Sequence, residues 1–364
     1  MYINFWYPIC KAGELTNTTP LRVDLLGLPF VAFRDSGGTA HVLADTCAHR
    51  GGSLSKGKVQ DDCVECPYHG WRFGGDGRCV LIPSLGDSTP PARAKVDSYP
   101  VQEKYGVVFA FLGDLPEAER PPVCPVPEFG QEGWRASEIA VLHINCYYER
   151  SMENGLDAVH NEFVHPGQGF PPMHTETLRA IENAWGSGFE AYFGDPQLDM
   201  TTFARERNRT GELRAGSWFH GPSSLVTSIF INAESNLVQY LFEAPVDGNR
   251  TRIYFLNMRN CMLDESMDQK VMDINLKIVH EDIVILEALN PIRTPDTLTR
   301  EIMTPGDRIV IRFRERLREW DSRGWRLDRQ VLMAAKGDVA YAIPCPARRT
   351  SGNWVLEPVS LRQP

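Results

Sequence analysis

The segment Cys47-Ala48-His49 … Cys66-Pro67-Tyr68-His69 decides how the rest of the sequence is interpreted. Sixteen residues, 50 to 65, separate a Cys-x-His pair from a Cys-x2-His pair. Each pair supplies one thiolate and one imidazole, so two adjacent loops together offer two sulfur and two nitrogen ligands. The segment therefore predicts a metal centre held by these loops.

Two kinds of metal centre use such ligands. A [2Fe–2S] cluster of the Rieske type takes two Cys on one iron and two His on the other. The alternative is a tetrahedral zinc site in which Cys63 joins three of the four residues. That alternative leaves His69 and the surrounding run 67–71 without a role, so the sequence favours the iron–sulfur cluster.

Further residues beside the two pairs strengthen this interpretation. Arg50-Gly51-Gly52 follows the first pair, and Gly70-Trp71 follows the second. With them, the segment resembles the Rieske non-haem iron oxygenases, whose signature is Cys-x-His, a spacer and Cys-x2-His. The resemblance implies that four residues hold the [2Fe–2S] cluster, namely Cys47, His49, Cys66 and His69.

A second set of candidate ligands lies in residues 148–166. Apolar residues at 152, 156, 159 and 163 recur at helical spacing and predict a helix. His160 and His165 are separated by about 140° around an ideal helix, so a straight helix cannot direct both at one metal. Pro166 pushes the residue before it out of the α conformation. We therefore expect the helix to end or widen between the two His, turning His165 back towards an open-faced iron site.

The same stretch meets the family's pattern Asp-x2-His-x4-His with Asp157, His160 and His165. The resemblance implies that this Asp bridges two sites rather than binding iron. It would accept hydrogen bonds from His160 and from His69 of a neighbouring subunit, since members of the family form head-to-tail homotrimers. The alternative is an Asp near a helix with no special role.

A 2-His-1-carboxylate facial triad requires one more carboxylate. Residues 268–290 form the strongest helical stretch and contain Glu281-Asp282. The resemblance assigns the third iron ligand to Asp282. From the residues alone, Glu281 or Asp273 could serve instead.

Composition restricts the classes of protein to which the chain could belong. The net charge of −9 includes no compensating basic block, which argues against nucleic-acid binding. No run approaches the length of a transmembrane helix. The nine Cys show no secreted disulfide framework and the N-terminus shows no signal peptide, so we expect a reducing cytoplasm.

The order of strands and helices predicts an α+β protein of two domains. Short alternating strands indicate an all-β Rieske domain over 1–120, and a Pro-rich stretch at 113–133 is the expected crossing. The resemblance implies that 134–364 is a helix-grip (START-like) catalytic domain with a curved antiparallel sheet. Four aromatic residues are candidates to line its pocket: Phe203, Trp218, Phe230 and Tyr240.

The function that the resemblance implies is that of a Rieske terminal oxygenase. Such a protein uses O2 at mononuclear Fe(II) to hydroxylate or O-/N-demethylate a small, aromatic substrate. Electrons from NAD(P)H would come through a separate ferredoxin or flavin reductase, because the chain has no dinucleotide fingerprint. Its length favours a single-component monooxygenase or demethylase. The alternatives are a ring cis-dihydroxylating dioxygenase and, in a different class, a Rieske electron carrier.

Overall fold

The computed structural model describes residues 1–168, 175, 178–192, 214–231 and 234–363. These residues form two units. The N-terminal unit comprises Met1–Val123 together with Glu319–Pro364, and the C-terminal unit comprises Cys124–Arg318. The first is built from short strands, whereas the second combines one large antiparallel sheet with helices. The predicted α+β class is confirmed.

The N-terminal unit contains three antiparallel sheets and a two-stranded parallel pair, ordered β1-β11-β10, β2-β3-β4-β9, β5-β6-β7-β8 and β20-β21. Its strands are β1 Phe5–Lys11, β2 Leu21–Leu25, β3 Leu28–Arg34, β4 Ala40–Ala44, β5 Lys58–Gln60, β6 Cys63–Glu65, β7 Arg72–Phe73, β8 Cys79–Leu81, β9 Ser98–Tyr99, β10 Val101–Lys104, β11 Val107–Leu112, β20 Tyr341–Ala342 and β21 Glu357–Pro358. All six residues of β11 are buried, which explains its unbroken apolar sequence.

The last part of the chain belongs to the N-terminal unit, whereas the sequence analysis assigned all of 134–364 to one domain. Two contacts within this unit account for the difference. The Asp97 carboxylate binds the Arg348 guanidinium, with 2.6 Å between Oδ1 and Nε. The Tyr99 hydroxyl donates to the carbonyl of Ile343 over 2.8 Å. Both contacts join residues far apart in sequence, and sequence spacing cannot reveal such pairs.

One eight-stranded antiparallel sheet forms the framework of the C-terminal unit. Its order is β12-β19-β18-β17-β16-β15-β14, and β13 also pairs with β19. The strands are β12 Arg135–Ala136, β13 Ala140–Ile144, β14 Arg179–Asn183, β15 Gly186–Tyr192, β16 Arg214–His220, β17 Ser224–Phe230, β18 Asn236–Pro245 and β19 Thr251–Arg259.

The α-helices in the described part of the chain are α1 Tyr148–Leu156, α2 Asn161–Val164, α3 Asp268–Glu287, α4 Arg308–Ser322 and α5 Arg329–Ala334. The predicted helix over 268–290 corresponds to α3, whose buried residues Val271, Asn275, Val279 and Leu286 follow helical spacing. Gly155 lets α1 pack closely on β17, because a Cβ there would lie 2.1 Å from Leu225 Cδ2. α1 is thereby placed beside the sheet, and the hydrogen bond from Gln239 of β18 to Asn275 places α3 there as well.

None of the helices in the described ranges has the length and apolar character that crossing a membrane requires. All nine cysteines are free, and eight of them are buried.

Candidate metal centres

The two Cys-His segments fold into matching loops. The N–H of Gly51 donates to the Cys47 carbonyl, and the N–H of Gly70 donates to the Cys66 carbonyl, both over 3.0 Å. The two glycines have φ values of 70° and 72°, a conformation that residues with a Cβ rarely adopt. The glycines that follow the two pairs in sequence are therefore required by the turns that present the ligands.

The four predicted cluster residues come together between these loops. Cys47 and Cys66 are buried, whereas His49 and His69 are exposed. The Nδ1 atoms of the two imidazoles lie 3.1 Å apart. Two thiols on the inside and two imidazoles on the outside match a cluster that binds Cys through one iron and His through the other. The donor set therefore fits a Rieske cluster.

Burial raises the pKa of the Cys47 thiol to about 12, and the neighbouring Cys66 contributes to the rise. A thiol with such a pKa stays protonated at neutral pH until a metal displaces its proton. The buried sulfurs are thus suited to be held as ligands rather than to act as free nucleophiles.

The structure gives no support to the zinc alternative. A tetrahedral site requires all of its ligand atoms around one ion. Among the described residues, the one group of three or more His, Cys, Asp or Glu with ligand atoms within 4.8 Å of one another is His160, His165 and Asp282. Cys63 therefore does not complete a compact four-ligand shell with the residues of the two loops.

That group of three is the second predicted site, and it lies in the C-terminal unit. His160 Nε2 lies 3.5 Å and His165 Nε2 lies 3.1 Å from Oδ1 of Asp282. The three ligand atoms converge on one point, as a facial triad requires. The donor set, two imidazoles and one carboxylate, fits mononuclear iron.

The path of the chain between the two His differs in detail from the prediction. α1 ends at Leu156, before His160, and the short α2 lies between the two His. The expected effect of Pro166 is present, since His165 leaves the α conformation with φ −118° and ψ 56°. The turn after α1, rather than a widened helix, therefore brings both rings to one side.

Hydrogen bonds to the other ring nitrogens fix the orientation of both imidazoles. His165 Nδ1 lies 2.8 Å from Oε2 of Glu281, and His160 Nδ1 lies 2.6 Å from the carbonyl oxygen of Asp157. These contacts occupy each Nδ1, so each Nε2 faces Asp282 at the place where a metal would bind. Glu281, an open alternative in sequence, thus contacts the Nδ1 side of His165, whereas Asp282 faces the Nε2 atoms of both rings.

Charges within the triad stabilise its ionised state. Burial alone would raise the pKa of Asp282, but hydrogen bonds from His160 and His165 hold it well below its usual range. Burial likewise opposes protonation of His165, yet its hydrogen bonds to Asp282 and Glu281 raise the pKa of the ring. The carboxylate is anionic, as a metal ligand must be.

The Asp157 carboxylate lies near His160 but does not accept the predicted hydrogen bond from its ring. The carboxylate Oδ2 lies 4.0 Å from His160 Nδ1, beyond hydrogen-bond distance. Oδ1 instead accepts from the Val159 N–H over 2.7 Å. Burial raises the pKa of this carboxyl group. The contact with the His160 ring is made by the Asp157 main chain.

A cavity of about 100 Å³ adjoins the triad and is bounded by α1, α3 and the sheet. Three of the four aromatic candidates do not line it: Trp218, Phe230 and Tyr240. Phe203 lies outside the described residues. The wall consists mainly of aliphatic side chains and several polar residues of β16 to β18, together with the aromatic ring of Phe189, and no short motif in the sequence identified them.

Replacement of Glu281 by Gln is expected to weaken Fe(II) binding at the triad by about tenfold, because a neutral amide supports the His165 imidazole less strongly than a carboxylate. The measurement is the release of iron to a competing chelator. Asp273→Asn is the matched control, since Asp273 is an exposed carboxylate on the same helix. Equal iron retention in Glu281→Gln and the control would contradict the supporting role of Glu281.

Two family models match the chain. The model described as Rieske [2Fe-2S] domain matches residues 5–100, which include both Cys-His loops. The model described as Vanillate O-demethylase oxygenase C-terminal domain matches residues 144–323, which include the triad.

Similar proteins cover most of the chain. Methylxanthine N1-demethylase NdmA of Pseudomonas putida is 27% identical over 330 residues, which are 87% of this chain and 88% of that protein. The 4beta-methylsterol monooxygenase of Methylococcus capsulatus is 34% identical over 260 residues, 70% of this chain and 67% of that protein.

Solved structures show the same architecture. The structure of Pseudomonas putida CBB5 NdmA with caffeine has a TM-score of 0.73 at 26% identity, and covers 88% of this chain and 91% of that one. The structure of dicamba monooxygenase bound to dicamba has a TM-score of 0.70 at 21% identity, and the match covers 91% of this chain and 98% of that one. This likeness concerns the fold alone.

Proposed function

The chain belongs to the Rieske non-haem iron oxygenases, and from this premise we propose that it removes a methyl group from a small aromatic or heteroaromatic substrate by hydroxylating it. The observation that supports this proposal most strongly is the convergence of His160, His165 and Asp282 on one point beside a cavity. An electron carrier needs neither the triad nor the cavity.

The enzyme is an oxidoreductase that uses a Rieske [2Fe–2S] cluster, mononuclear iron, O2 and electrons from a reductase. We assign the cluster to Cys47, His49, Cys66 and His69. When bound, the two metal groups store the electrons and activate O2 for insertion into a C–H bond.

The protein's own residues would hold the metal groups, orient the metal-binding side chains and exclude water. The buried thiols of Cys47 and Cys66 would hold the cluster away from water, and the exposed imidazoles of His49 and His69 would hold it where an electron donor could approach. Glu281 and the main chain of Asp157 hold the two triad rings in place. Asn154 Nδ2 donates to Asp282 Oδ1 over 3.0 Å, which further restricts that carboxylate.

We propose that the protein acts as a homotrimer supplied by a separate ferredoxin or flavin reductase. In that assembly Asp157 would face His69 of the neighbouring subunit. The position of the Asp157 carboxylate beside the triad supports this, with Oδ2 4.0 Å from His160 Nδ1.

Demethylation has a product that distinguishes it from other oxygenations. A methyl ether R–O–CH3 with O2, two electrons and two protons gives R–OH, formaldehyde and water. With a surrogate reductase and a panel of methoxylated, N-methylated and unsubstituted aromatic compounds, we expect formaldehyde in proportion to O2 consumed for a methyl-bearing compound. Formation of a cis-diol from the unsubstituted compounds without formaldehyde would instead identify a ring dihydroxylase.

A further inference from the structure

A row of polar side chains crosses the sheet of the C-terminal unit. Ser217 on β16 lies opposite Thr227 on β17, Thr227 lies opposite Gln239 on β18, and Gln239 lies opposite Asn257 on β19. Directly opposed residues on neighbouring strands project from the same face of a sheet, so these four form one row. The first three line the cavity beside the triad.

The rows on either side are apolar where they meet the cavity. One consists of Phe219, Leu225, Leu241 and Phe255, and the other begins with Ala215, Ile229 and Leu237 and ends at Arg259. The Arg259 side chain is fully buried and is bound by the Asp268 carboxylate. A polar row between apolar rows is unfavourable unless its groups find partners, because a buried amide or hydroxyl without a hydrogen bond has lost its hydration.

The hydrogen bonds of the row leave the amides incompletely satisfied. The hydroxyl oxygens of Ser217 and Thr227 lie 2.7 Å apart and pair with each other. Gln239 Nε2 donates to Oδ1 of Asn275 on α3 over 2.9 Å. Within the described ranges, Asn275 Nδ2 and both amide atoms of Asn257 are buried without a partner, and no hydrogen bond reaches Gln239 Oε1. The Gln239 amide is thus fixed in orientation and retains an open oxygen.

The helix α3 determines how far the polar row lies from the triad, because it carries both Asn275, which contacts the row, and Asp282. Asn275 and Asp282 are seven residues apart on α3, so they share a face of the helix and are separated by about 10 Å along its axis. Ile278 and Val279 line the cavity between them. A ring-sized molecule can therefore place a methyl group at the triad and a polar group at the row.

The charges around the cavity restrict that polar group. The described lining residues include no Lys or Arg, and their ionised side chains are the carboxylates Asp157 and Asp282. Among the described lining residues a substrate carboxylate would find no counterion, and burying an unpaired charge costs far more free energy than burying a neutral group that is hydrogen-bonded.

We propose that Gln239 orients the substrate, that Asn275 positions Gln239, and that the substrate is an uncharged aromatic or heteroaromatic molecule with an amide-type group opposite its methyl group. This inference rests on the proposed function, because it names the substrate class of the same site. The side-chain oxygen and nitrogen of Gln239 and of Asn275 can each be assigned the other way round. If both amides are reversed, the hydrogen bond between them is kept, and only its donor and acceptor are exchanged. An amide group, which contains both a donor and an acceptor, suits either arrangement.

The test is a binding measurement on the reduced holoprotein without O2, so that no turnover occurs. The probes are 4-methoxybenzamide, 4-methoxybenzoate and 4-methoxytoluene, which share shape and methyl group but differ in the polar end. We expect calorimetric dissociation constants about tenfold lower for the amide than for either other probe, the size of one well-made hydrogen bond.

The decisive variant is Gln239→Met/Asn275→Leu, which removes both partners of the amide pair and leaves no new unpaired group. It is expected to bring the affinity ratio of amide to toluene close to one. Ile229→Val, a change in the neighbouring apolar row, is the matched control and should leave that ratio unchanged. The thermal unfolding midpoint of each variant verifies that it is folded.

Three results would overturn the proposal: tighter binding of the benzoate than the amide, an unchanged ratio in the double variant, or no binding of any probe. Failure of the formaldehyde assay with the amide preference intact would refute demethylation and leave the role of Gln239 standing. Demethylation without any amide preference would refute the role of Gln239 alone.

Discussion

Replacement of Asp282 by Asn is expected to remove the mononuclear iron and reduce product formation by at least about a hundredfold, because a neutral amide oxygen is a poor substitute for an anionic ligand. Asp282 Oδ1 lies 3.1 Å and 3.5 Å from the two imidazole nitrogens, and among the described residues no other carboxylate belongs to this compact group of ligand atoms. The measurement is the initial rate of product formation together with the iron content.

The visible absorption of the cluster should be unchanged in Asp282→Asn, because the four residues to which we assign the cluster belong to the other unit. Asp273→Asn, on the exposed side of the same helix, should retain both iron and activity. Retention of the iron by Asp282→Asn, with normal turnover, would show that the facial triad has been assigned incorrectly.

Replacement of Asp157 by Asn is expected to leave both metals in place and still reduce the product of a single turnover by about ten- to a hundredfold, as loss of a carboxylate beside a ligating His does. The side chain binds neither metal in our assignment. The amide of the variant would keep an oxygen for the Val159 N–H, which now donates to Asp157 Oδ1 over 2.7 Å, so the turn before His160 should persist.

The experiment reduces the cluster chemically, adds O2 and quantifies product per chain. Substrate affinity should be close to that of the wild type, which separates a positioning role from a binding role. If Asp157→Asn loses iron while Asp282→Asn retains it, the two carboxylates have been assigned in reverse. If product is unchanged, Asp157 has no role between the two sites.

The cluster loops were predictable because their information is local. Each Cys, its His and the glycine of its turn lie within five residues, and the turn geometry requires that order. The distance from His160 to His165 is equally local, and so is the effect of Pro166. The end of α1 at Leu156 was not predicted, since helical spacing of apolar residues continues beyond it.

Other features depend on contacts that spacing does not encode. The residues alone left Asp282, Glu281 and Asp273 as alternatives for the third ligand, and only the approach of α3 to the two His shows that Asp282 faces their Nε2 atoms while Glu281 contacts His165 Nδ1. The polar row requires the register of four strands, so Gln239 looked like an ordinary strand residue. The Asp97–Arg348 pair likewise joins distant residues, which explains why the last part of the chain was placed in the wrong unit by sequence alone.

The most direct test of the account is the content of iron, zinc and acid-labile sulfide per chain in the wild type and in Asp282→Asn. A cluster and a separate mononuclear site predict about three iron atoms and about two sulfides in the wild type, and about two of each in the variant. Both proteins should be red-brown and bleach on reduction with dithionite. A wild-type protein with equal iron and sulfide, or a colourless protein with bound zinc, would contradict the account.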